Sequence, residues 1–355
     1  MPSFLQEYRG DIESALRNII ESQAGNLSRV NQWGKDVCGR LTDFACSGKM
    51  IRGALTLHSA RMFKFSRYSE ALKAAAAIEL VQSAFLIHDD IMDQDKSRRG
   101  HPTIFYQYQL LGEEQTLTDP LRFGESMGIC AGDILFFMAF DTLSGLKIGP
   151  ETRLKILNLV YREVMGTCVA QMQDVFWSNL DLGKPAEEEE IIRLYTYKTA
   201  RYTFSLPLMI GALLAGQEEA SGALERIGEA LGVIFQIKDD ELGLFGTEEQ
   251  IGKPVGSDLQ EGKKTLFHLY LLQDADPEEK RRLVNILKKK GEPKESDLAF
   301  VRSLIESKGI RDRIGETVSR YARQARELIH SLPLVTDKDR ETLLDLMEYN
   351  LGRKS

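Results

Sequence analysis

The feature that most constrains this chain is an apolar helical stretch that ends in a cluster of aspartates. In the stretch from Ala71 to Gly100, good helix formers with an apolar face precede Asp89, Asp90 and Asp93. A helix C-terminus already carries about half a negative charge, so acids at that end cost stability unless a strong positive charge joins them. Because Asp89 and Asp93 share a helix face, we expect them to bind a divalent metal ion together.

The identity of the expected metal ion follows from its ligands. Oxygen ligands select hard cations, and magnesium takes one or two protein carboxylates and completes its shell with waters and substrate phosphates. The pattern therefore predicts a phosphorylated substrate. A solvated acidic helix end is the alternative, because runs of charge usually face water.

A second copy of the pattern lies about 150 residues further along the chain. Glu229 to Gly243 aligns with Glu79 to Asp93, so that Asp239-Asp240 falls on Asp89-Asp90. If the two helices face each other across a cavity, their acids form one metal-binding mouth above an apolar hole, as in-chain repetition often produces. Gly243 stands where the third acid would be, which leaves two candidate helper ligands, Glu241 and Asp258.

Composition and patterning favour one all-α domain over residues 1–355. The apolar periodicity is helical almost throughout, and no Pro/Ser-rich linker separates two cores. The net charge of -7, with basic residues spread among acidic ones, gives no reason to expect nucleic acid. The N-terminus has no signal-peptide core and no apolar run approaches about 18 residues, so we expect a cytoplasmic protein that is not integral to a membrane.

The cysteines agree with a reducing compartment. Their spacing is not that of a metal site, and they lie in or beside apolar helices, which predicts buried free thiols at Cys38, Cys46, Cys130 and Cys168.

Basic residues precede the first acid motif. Lys49 and Arg52 stand three residues apart at the start of a helix predicted over Ala54 to Phe63. A helix N-terminus with two cations is a ready anion site. Surface cations that only face solvent are the alternative.

Further cations follow both acid motifs or lie between them. Arg98 and Arg99 stand on a Gly/Pro turn directly after the aspartates, where planar guanidiniums suit a diphosphate. Lys198, beside Thr199, lies in an otherwise apolar helix that Pro207 should kink, and a lysine there needs a counter-ion. The glycine-rich loop at residues 246–265 carries more lysines but lacks the spacing of a nucleotide P-loop.

Together these parts predict a site for diphosphates with hydrocarbon tails. Magnesium and arginines would hold the diphosphate of an allylic substrate, which ionises to a carbocation with no side-chain nucleophile. A second diphosphate on Lys49, Arg52 and Arg99 would then offer its double bond to the cation, with positioning supplying much of the acceleration.

In these motifs the chain resembles the trans-isoprenyl diphosphate synthases, or polyprenyl synthetases. The signatures are DDIMD at 89–93, DDELG at 239–243, GKMIR at 48–52, RRG at 98–100, KT at 198–199 and GKPVGSDLQEGKKT at 252–265. The resemblance covers residues 45–270 and implies a helical bundle of the isoprenoid synthase type with a central apolar cavity. It also implies more than one magnesium ion, with manganese as a substitute, and a homodimer.

The resemblance further implies roles for individual residues. The magnesium set is Asp89, Asp90, Asp93, Asp239 and Asp240. The set that holds the allylic diphosphate is Arg98, Lys198 and Lys253, with Lys263 as a further substrate contact. The set for isopentenyl diphosphate is Lys49, Arg52, Gln82 and Arg99. Thr199 and Gln236 would lie near the carbocation, and Gln171 and Asp174 match a further pair.

Product length depends on the residues one turn before the first motif. Helical side chains lean toward the N-terminus, so Ala84 and Phe85 should lie ~6 to 7 Å below the metals and line the tail pocket. In the family that the chain resembles, a large aromatic five residues before the motif closes the pocket near C15, and here that residue is Ala84. We therefore expect a C20 product, geranylgeranyl diphosphate, with C15 (farnesyl) and C25 (geranylfarnesyl) as alternatives.

Two other functions compete with this one. A class I terpene cyclase also uses an aspartate-rich helix end, but it needs no second diphosphate site. A non-catalytic partner subunit could lose its acids without penalty, whereas both aspartate pairs and the arginine pair are intact here.

Overall fold

Helices make up almost all of the described structure, which confirms the all-α prediction. The structure is a computed structural model that describes residues 3–180, 186–247, 255, 256, 259, 261–287 and 294–353. The helices of the first half are α1 (Ser3–Ser28), α2 (Trp33–Cys46), α3 (Ile51–Met62), α4 (Tyr68–Asp93), α5 (Ile104–Glu114), α6 (Pro120–Ser144) and α7 (Pro150–Ser178). Between α4 and α5 a two-residue antiparallel pair joins β1 (Ser97–Arg98) to β2 (His101–Pro102).

The second half continues with helices. After α8 (Glu188–Tyr195) comes a π-helical segment, Thr196–Ser205, and the elements that follow are α9 (Leu206–Leu214), a 3₁₀ turn (Glu218–Ala220), α10 (Ser221–Phe245), α11 (Leu266–Asp274), α12 (Pro277–Leu287), α13 (Glu295–Ser307), α14 (Ile310–Ser331) and α15 (Asp337–Leu351). The π-helical segment ends at Ser205, two residues before Pro207. Proline has no N–H and its ring crowds the preceding turn, so an irregular helix is expected there. The irregularity is a π-helical segment before Pro207 instead of a kink at it.

Two compact units make up the chain. The first contains the residues up to Val160 together with Pro207–Ser221, and the second contains Tyr161–Leu206 and the chain from Gly222 onward. The single domain over residues 1–355 stays a prediction.

The first unit is built around α4, the helix that ends in the first acid motif. It packs against α1, α3 and α6, and α5 packs on α6. Ala74, Ala75, Ala76 and Ala77 are completely buried, since alanine favours the helix and lets neighbouring helices approach closely. Gln94 then takes the left-handed conformation (φ 57°), and the Asp95 N–H donates to the Asp90 carbonyl. This C-terminal cap ends α4 at Asp93 and fixes where the acids emerge.

The second unit contains a close approach between α10 and the π-helical segment. A Cβ at Gly232 would lie 2.3 Å from the Ala200 Cα, and one at Gly228 would lie 2.4 Å from the Ser205 Cα. Only glycine fits at these two positions. Elsewhere in this unit α11 packs against α8, α13 and α14, and α14 packs on α15.

Two of the described helices, α4 and α6, are long and apolar enough to cross a membrane. Buried core helices pass the same test, and the apolar window of α4 is 67% buried.

The prediction of four buried thiols is wrong for Cys130 and Cys168, which are exposed. Cys38 is buried, and Cys46 is partly buried. Both exposed cysteines lie on outward apolar faces, of α6 and α7, that the sequence pattern does not distinguish from core.

Candidate active site

The first acid motif places its aspartates in two different environments. Asp89 and Asp93 are partly exposed on one face of α4, whereas Asp90 is completely buried. The Arg98 Nε donates to Asp90 Oδ1 at 2.6 Å, and Asp90 Oδ2 is buried with no hydrogen-bond partner among the described residues. Burial raises the pKa of the Asp90 carboxyl to about 7, although the Arg98 charge acts in the opposite direction. Asp90 thus orients Arg98 while its two neighbours face outward.

The β1–β2 hairpin explains how Arg98 reaches Asp90. Arg98 pairs with His101, and the two turn residues, Arg99 (φ 55°) and Gly100 (φ 76°), both take the left-handed conformation that such a tight hairpin requires. The Thr103 hydroxyl donates to the Asp95 carbonyl at 2.7 Å and ties the hairpin to the end of α4.

A second cationic group lies beside a buried glutamate in the same unit. The Gly53 N–H, in the first turn of α3, donates to Glu79 Oε1 at 2.7 Å. Burial raises the pKa of Glu79, and the nearby charges of Arg52 and Arg99 oppose that rise. Arg99 Nη1 also donates to the Ser47 hydroxyl at 3.2 Å. Arg52 and Arg99, predicted from separate motifs, therefore lie near the same carboxylate.

The remaining predicted members of this group surround it. Lys49 is exposed just before α3, which begins at Ile51 rather than at the predicted Ala54. Gln82 is buried on α4, one turn beyond Glu79. Glu79 is not among the predicted site residues, although an acid inside an alanine-rich apolar helix is a sequence signal that points to it.

The predicted tail-pocket residues differ in burial. Ala84 is completely buried, whereas Phe85 is partly exposed and packs edge-on against Phe136 of α6 with 5.1 Å between ring centroids. Phe136 in turn stacks on Phe140 at 6.4 Å. An aromatic row on α6 therefore continues from Phe85 away from the acids.

The second acid motif, in the second unit, repeats the arrangement of the first. Asp239 is exposed and Asp240 is buried, and α10 continues for more than one turn beyond them, to Phe245, instead of ending at the acid pair. Asp240 accepts a hydrogen bond from Gln236 Nε2 at 2.8 Å and another from the Tyr195 hydroxyl. The Thr199 hydroxyl donates to Gln236 Oε1 at 2.7 Å, so the predicted pair Thr199 and Gln236 is in direct contact.

The π-helical segment positions Lys198 as well as Thr199. Lys198 Nζ donates a hydrogen bond to the buried carboxylate of Asp174, on α7. Asp174 is therefore the counter-ion that a lysine in this apolar helix was predicted to need. Gln171 lies one turn before Asp174 and is partly exposed. Segments of π-helix are rare and often occur at functional sites. The wider turns change the direction in which side chains leave the helix, here those of Lys198 and Thr199.

A buried ionic network holds the segment in place. Arg201 donates through Nε to Glu163 Oε2 at 2.7 Å and also contacts Glu225 and Glu229 of α10. Only 12% of the Arg201 side chain is exposed, and the first cause of its raised pKa is the hydrogen bond to Glu163. No local sequence pattern predicts this network, because its members come from α7, the π-helical segment and α10.

The lysines and helper acids of the late loop are only partly within the described structure. Lys253 and Asp258 lie outside the described residues. Lys263 pairs with Glu261 at 2.5 Å. Glu241, the other candidate helper, is held by Lys238 and Arg311, both at 2.8 Å, and although burial raises its pKa these cations lower it overall.

Each acid motif, taken by itself, offers the kind of ligand that magnesium takes. Asp89 and Asp93 in the first unit are partly exposed, and Asp239 in the second unit is exposed. Within the described ranges, no three His, Cys, Asp or Glu side chains converge as a ready-made metal site. Magnesium suits such a set, because it draws few ligands from protein and the rest from water and diphosphate oxygens.

Comparisons with known proteins place this geometry in context. The polyprenyl synthetase family model matches residues 36–305. The geranylgeranyl diphosphate synthase of Saccharolobus solfataricus is 31% identical, with 99% of this chain and 97% of that protein covered. The short chain isoprenyl diphosphate synthase of Methanocaldococcus jannaschii is 37% identical, with 68% and 67% covered. The crystal structure of a Corynebacterium glutamicum geranylgeranyl pyrophosphate synthase, complexed with isoprenyl diphosphate and magnesium, superposes with a TM-score of 0.90 at 25% identity, covering 98% of this chain and 99% of that one.

Proposed function

The chain belongs to the polyprenyl synthetase family, and we propose that this trans-isoprenyl diphosphate synthase condenses isopentenyl diphosphate with an allylic diphosphate to give geranylgeranyl diphosphate. The observation that carries the proposal is the repeated arrangement of the acid motifs. In each motif one aspartate, Asp90 or Asp240, is buried and accepts hydrogen bonds, and the aspartate before it in the chain is more exposed. Neither a terpene cyclase nor a non-catalytic subunit needs this arrangement together with a second cationic group at Arg52 and Arg99.

The open aspartates are the proposed metal ligands. Asp89, Asp93 and Asp239 would hold magnesium, which would stabilise the negative charge that develops on the departing diphosphate. Asp90 and Asp240 belong to the same set, and their hydrogen bonds favour an orienting role, Asp90 on Arg98 and Asp240 on Gln236. Manganese substitutes for magnesium.

The cations divide between the two substrates. Arg98, Lys198 and Lys253, with Lys263, hold the allylic diphosphate as its C–O bond breaks and the bonding electrons leave with it. Lys49, Arg52, Gln82 and Arg99 hold isopentenyl diphosphate. Its double bond attacks the allylic carbocation, whose charge lies near the oxygens of Thr199 and Gln236. The product cation then loses a proton to the released diphosphate, and the electrons of the C–H bond form the new allylic double bond.

The side of α4 before the first motif sets the product length. Ala84 leaves room where an aromatic residue would block a growing tail, and Phe85 is held against Phe136. We propose C20 as the main product, with C15 and C25 as the alternatives that the chain-length assay distinguishes.

A homodimer is the proposed assembly. Part of α7 within the second unit exposes an apolar stripe with helical spacing, formed by Met165, Val169, Met172 and Phe176, whose exposed fractions run from 58% to 70%. Monomeric proteins rarely expose such a continuous apolar face. We further propose that both units act as one catalytic domain in the cytoplasm, with no nucleic acid partner.

The experiment that tests the function is incubation of the purified protein with radiolabelled isopentenyl diphosphate, magnesium and one allylic primer at a time. The expected result is a labelled all-trans C20 diphosphate that requires both a primer and the metal. Label incorporated only when another protein is added would favour a partner subunit. Cyclic hydrocarbon formed from the primer alone would favour a cyclase.

A further inference from the structure

In the acid pair Asp239-Asp240 of α10, only Asp239 has a solvent-exposed side chain. Both oxygens of Asp240 accept hydrogen bonds, one from Gln236 and one from the Tyr195 hydroxyl, which itself accepts from the Leu266 N–H at 3.1 Å. Asp239 has a side chain that is 51% exposed. Because Asp240 is buried and Asp239 is half exposed, a cation that arrives from solvent meets the Asp239 carboxylate first.

A cation from the same chain already contacts Asp239. Arg353, two residues after the end of α15, places its Nη1 3.1 Å from Asp239 Oδ1, and only 10% of its side chain is exposed. Its guanidinium carbon lies 4.0 Å from the centroid of the Phe235 ring. Phe235 and Asp239 share a face of α10, so one surface offers an aromatic ring and a carboxylate to one guanidinium.

The last turn of α15, which precedes Arg353, is fixed to α10 by a hydrogen bond. Asn350 Nδ2 donates to the Leu231 carbonyl of α10 at 3.3 Å, and Asn350 is 1% exposed. The end of α15 is therefore anchored on α10 two turns before Asp239, and Arg353 follows directly. The contact combines an anchored backbone, a ring and an ion pair.

We propose that Arg353 is an intramolecular counter-cation that competes with the metal ion for Asp239. The inference rests on the proposed function, because it requires Asp239 to be a metal ligand. A guanidinium and a divalent ion on the same carboxylate repel each other in a partly buried place, so binding of one disfavours the other. Metal loading then releases the end of α15 from Asp239, and the metal binds more weakly than Asp239 alone would allow.

The test is a titration of the full-length protein with Mn²⁺ in the presence of inorganic pyrophosphate, with free Mn²⁺ measured by electron paramagnetic resonance. Arg353→Gln should lower the dissociation constant about fivefold, the scale of one partly exposed ion pair. The matched control is Arg326→Gln, which removes an arginine that pairs with Glu348 of α15 at 2.7 Å, and its dissociation constant should equal that of the wild type. An unchanged or higher constant in Arg353→Gln would overturn the inference.

Two more variants separate this inference from the proposed function. Asp239→Asn should weaken Mn²⁺ binding, and Asp239→Asn combined with Arg353→Gln should bind like Asp239→Asn alone, because the competing pair is already absent. If Asp239→Asn binds like the wild type, the metal role of Asp239 fails and the competition fails with it. If Asp239→Asn weakens binding while Arg353→Gln changes nothing, only the competition fails. Circular dichroism melting of each variant checks that it is folded. Arg353→Lys, which keeps the charge, should stay within about twofold of the wild type. If the glutamine variant does not fold, Arg353→Met replaces it, because methionine removes the charge and keeps an apolar side chain against Phe235, and it should also lower the dissociation constant about fivefold.

Discussion

Asp90 and Asp240 occupy equivalent positions in the two acid motifs, and each is buried on hydrogen-bond donors from outside its own motif. Their partners differ, since Arg98 comes from a hairpin and Tyr195 from the end of α8. The consequence is the same in both units. In each motif one carboxylate is held by hydrogen bonds and its neighbour, Asp89 or Asp239, is more exposed. This difference is the basis of the proposed orienting and metal-binding roles.

Tyr195→Phe tests the orienting part of the second motif. The change removes a hydroxyl that donates to Asp240 and accepts from the Leu266 N–H, so the free energy of unfolding should fall by about 1 to 3 kcal/mol in chemical denaturation. Because Gln236 and Thr199 are linked to Asp240, kcat should fall more than KM changes. Tyr106→Phe is the control, since it keeps the ring that Lys96 contacts, and it should change stability by less than about 0.5 kcal/mol. Equal behaviour of the two variants would contradict the orienting role.

Ala84→Phe tests the product-length proposal. Ala84 is completely buried, and a phenyl ring there should block the tail pocket and shift the main product from C20 toward C15. Chromatography of the dephosphorylated prenols measures the shift. An active variant that still makes only C20 would refute the pocket assignment.

The helices could be predicted from the sequence because their apolar periodicity is local, and so could the position of the first acid motif at the end of α4. The second helix was expected to end at its aspartate pair as well, but α10 continues to Phe245. The partners of those motifs could not, because they are brought together by tertiary structure. Lys198 was expected to need a counter-ion, but Asp174 lies on a different helix and nothing in the local pattern selects it. The role of Arg353 could not be predicted for the same reason, whereas Glu79 does carry a local signal, as an acid inside an apolar helix. The π-helical segment has ordinary helical composition, so the sequence does not distinguish it from an α-helix.

The contact between α10 and the π-helical segment is the packing on which the position of Lys198 and Thr199 depends. Gly232→Ala would put a methyl group 2.3 Å from Ala200, so we expect a loss of about 1 to 3 kcal/mol in the free energy of unfolding and weaker binding of the allylic substrate. Gly222→Ala is the control in the same helix, because a Cβ added there would have nothing within 4 Å. This variant should have an unchanged or slightly higher free energy of unfolding. The prediction fails if both alanine variants unfold at the same denaturant concentration.

Exposed apolar surface is the main feature at the scale of the whole molecule. The sequence pattern does not separate a face that packs inside the chain from one that packs on another copy, which is why Cys168 on α7 was expected to be buried. The stripe of Met165, Val169, Met172 and Phe176 is where the proposed dimer would bury this surface.

Met172→Lys tests the dimer. A lysine at the middle of the stripe would be buried without a partner in the interface, so light scattering after size-exclusion chromatography should give the mass of one chain instead of two. Gln324→Lys adds the same charge at an exposed position of α14 and should keep the mass of the wild type. A wild-type protein with the mass of a single chain would contradict the proposal directly.

The central proposal is that each acid motif is needed for the magnesium-dependent ionisation of the allylic diphosphate. Its most direct test is the magnesium-dependent rate of condensation for Asp89→Asn, Asp239→Asn and the double variant. Each single variant should lose about 100-fold or more in kcat, and the double variant should lose little more than the worse single one, because groups that act as a unit are not additive. A single variant with the wild-type rate, or a double variant whose loss is the product of the two single losses, would contradict the claim.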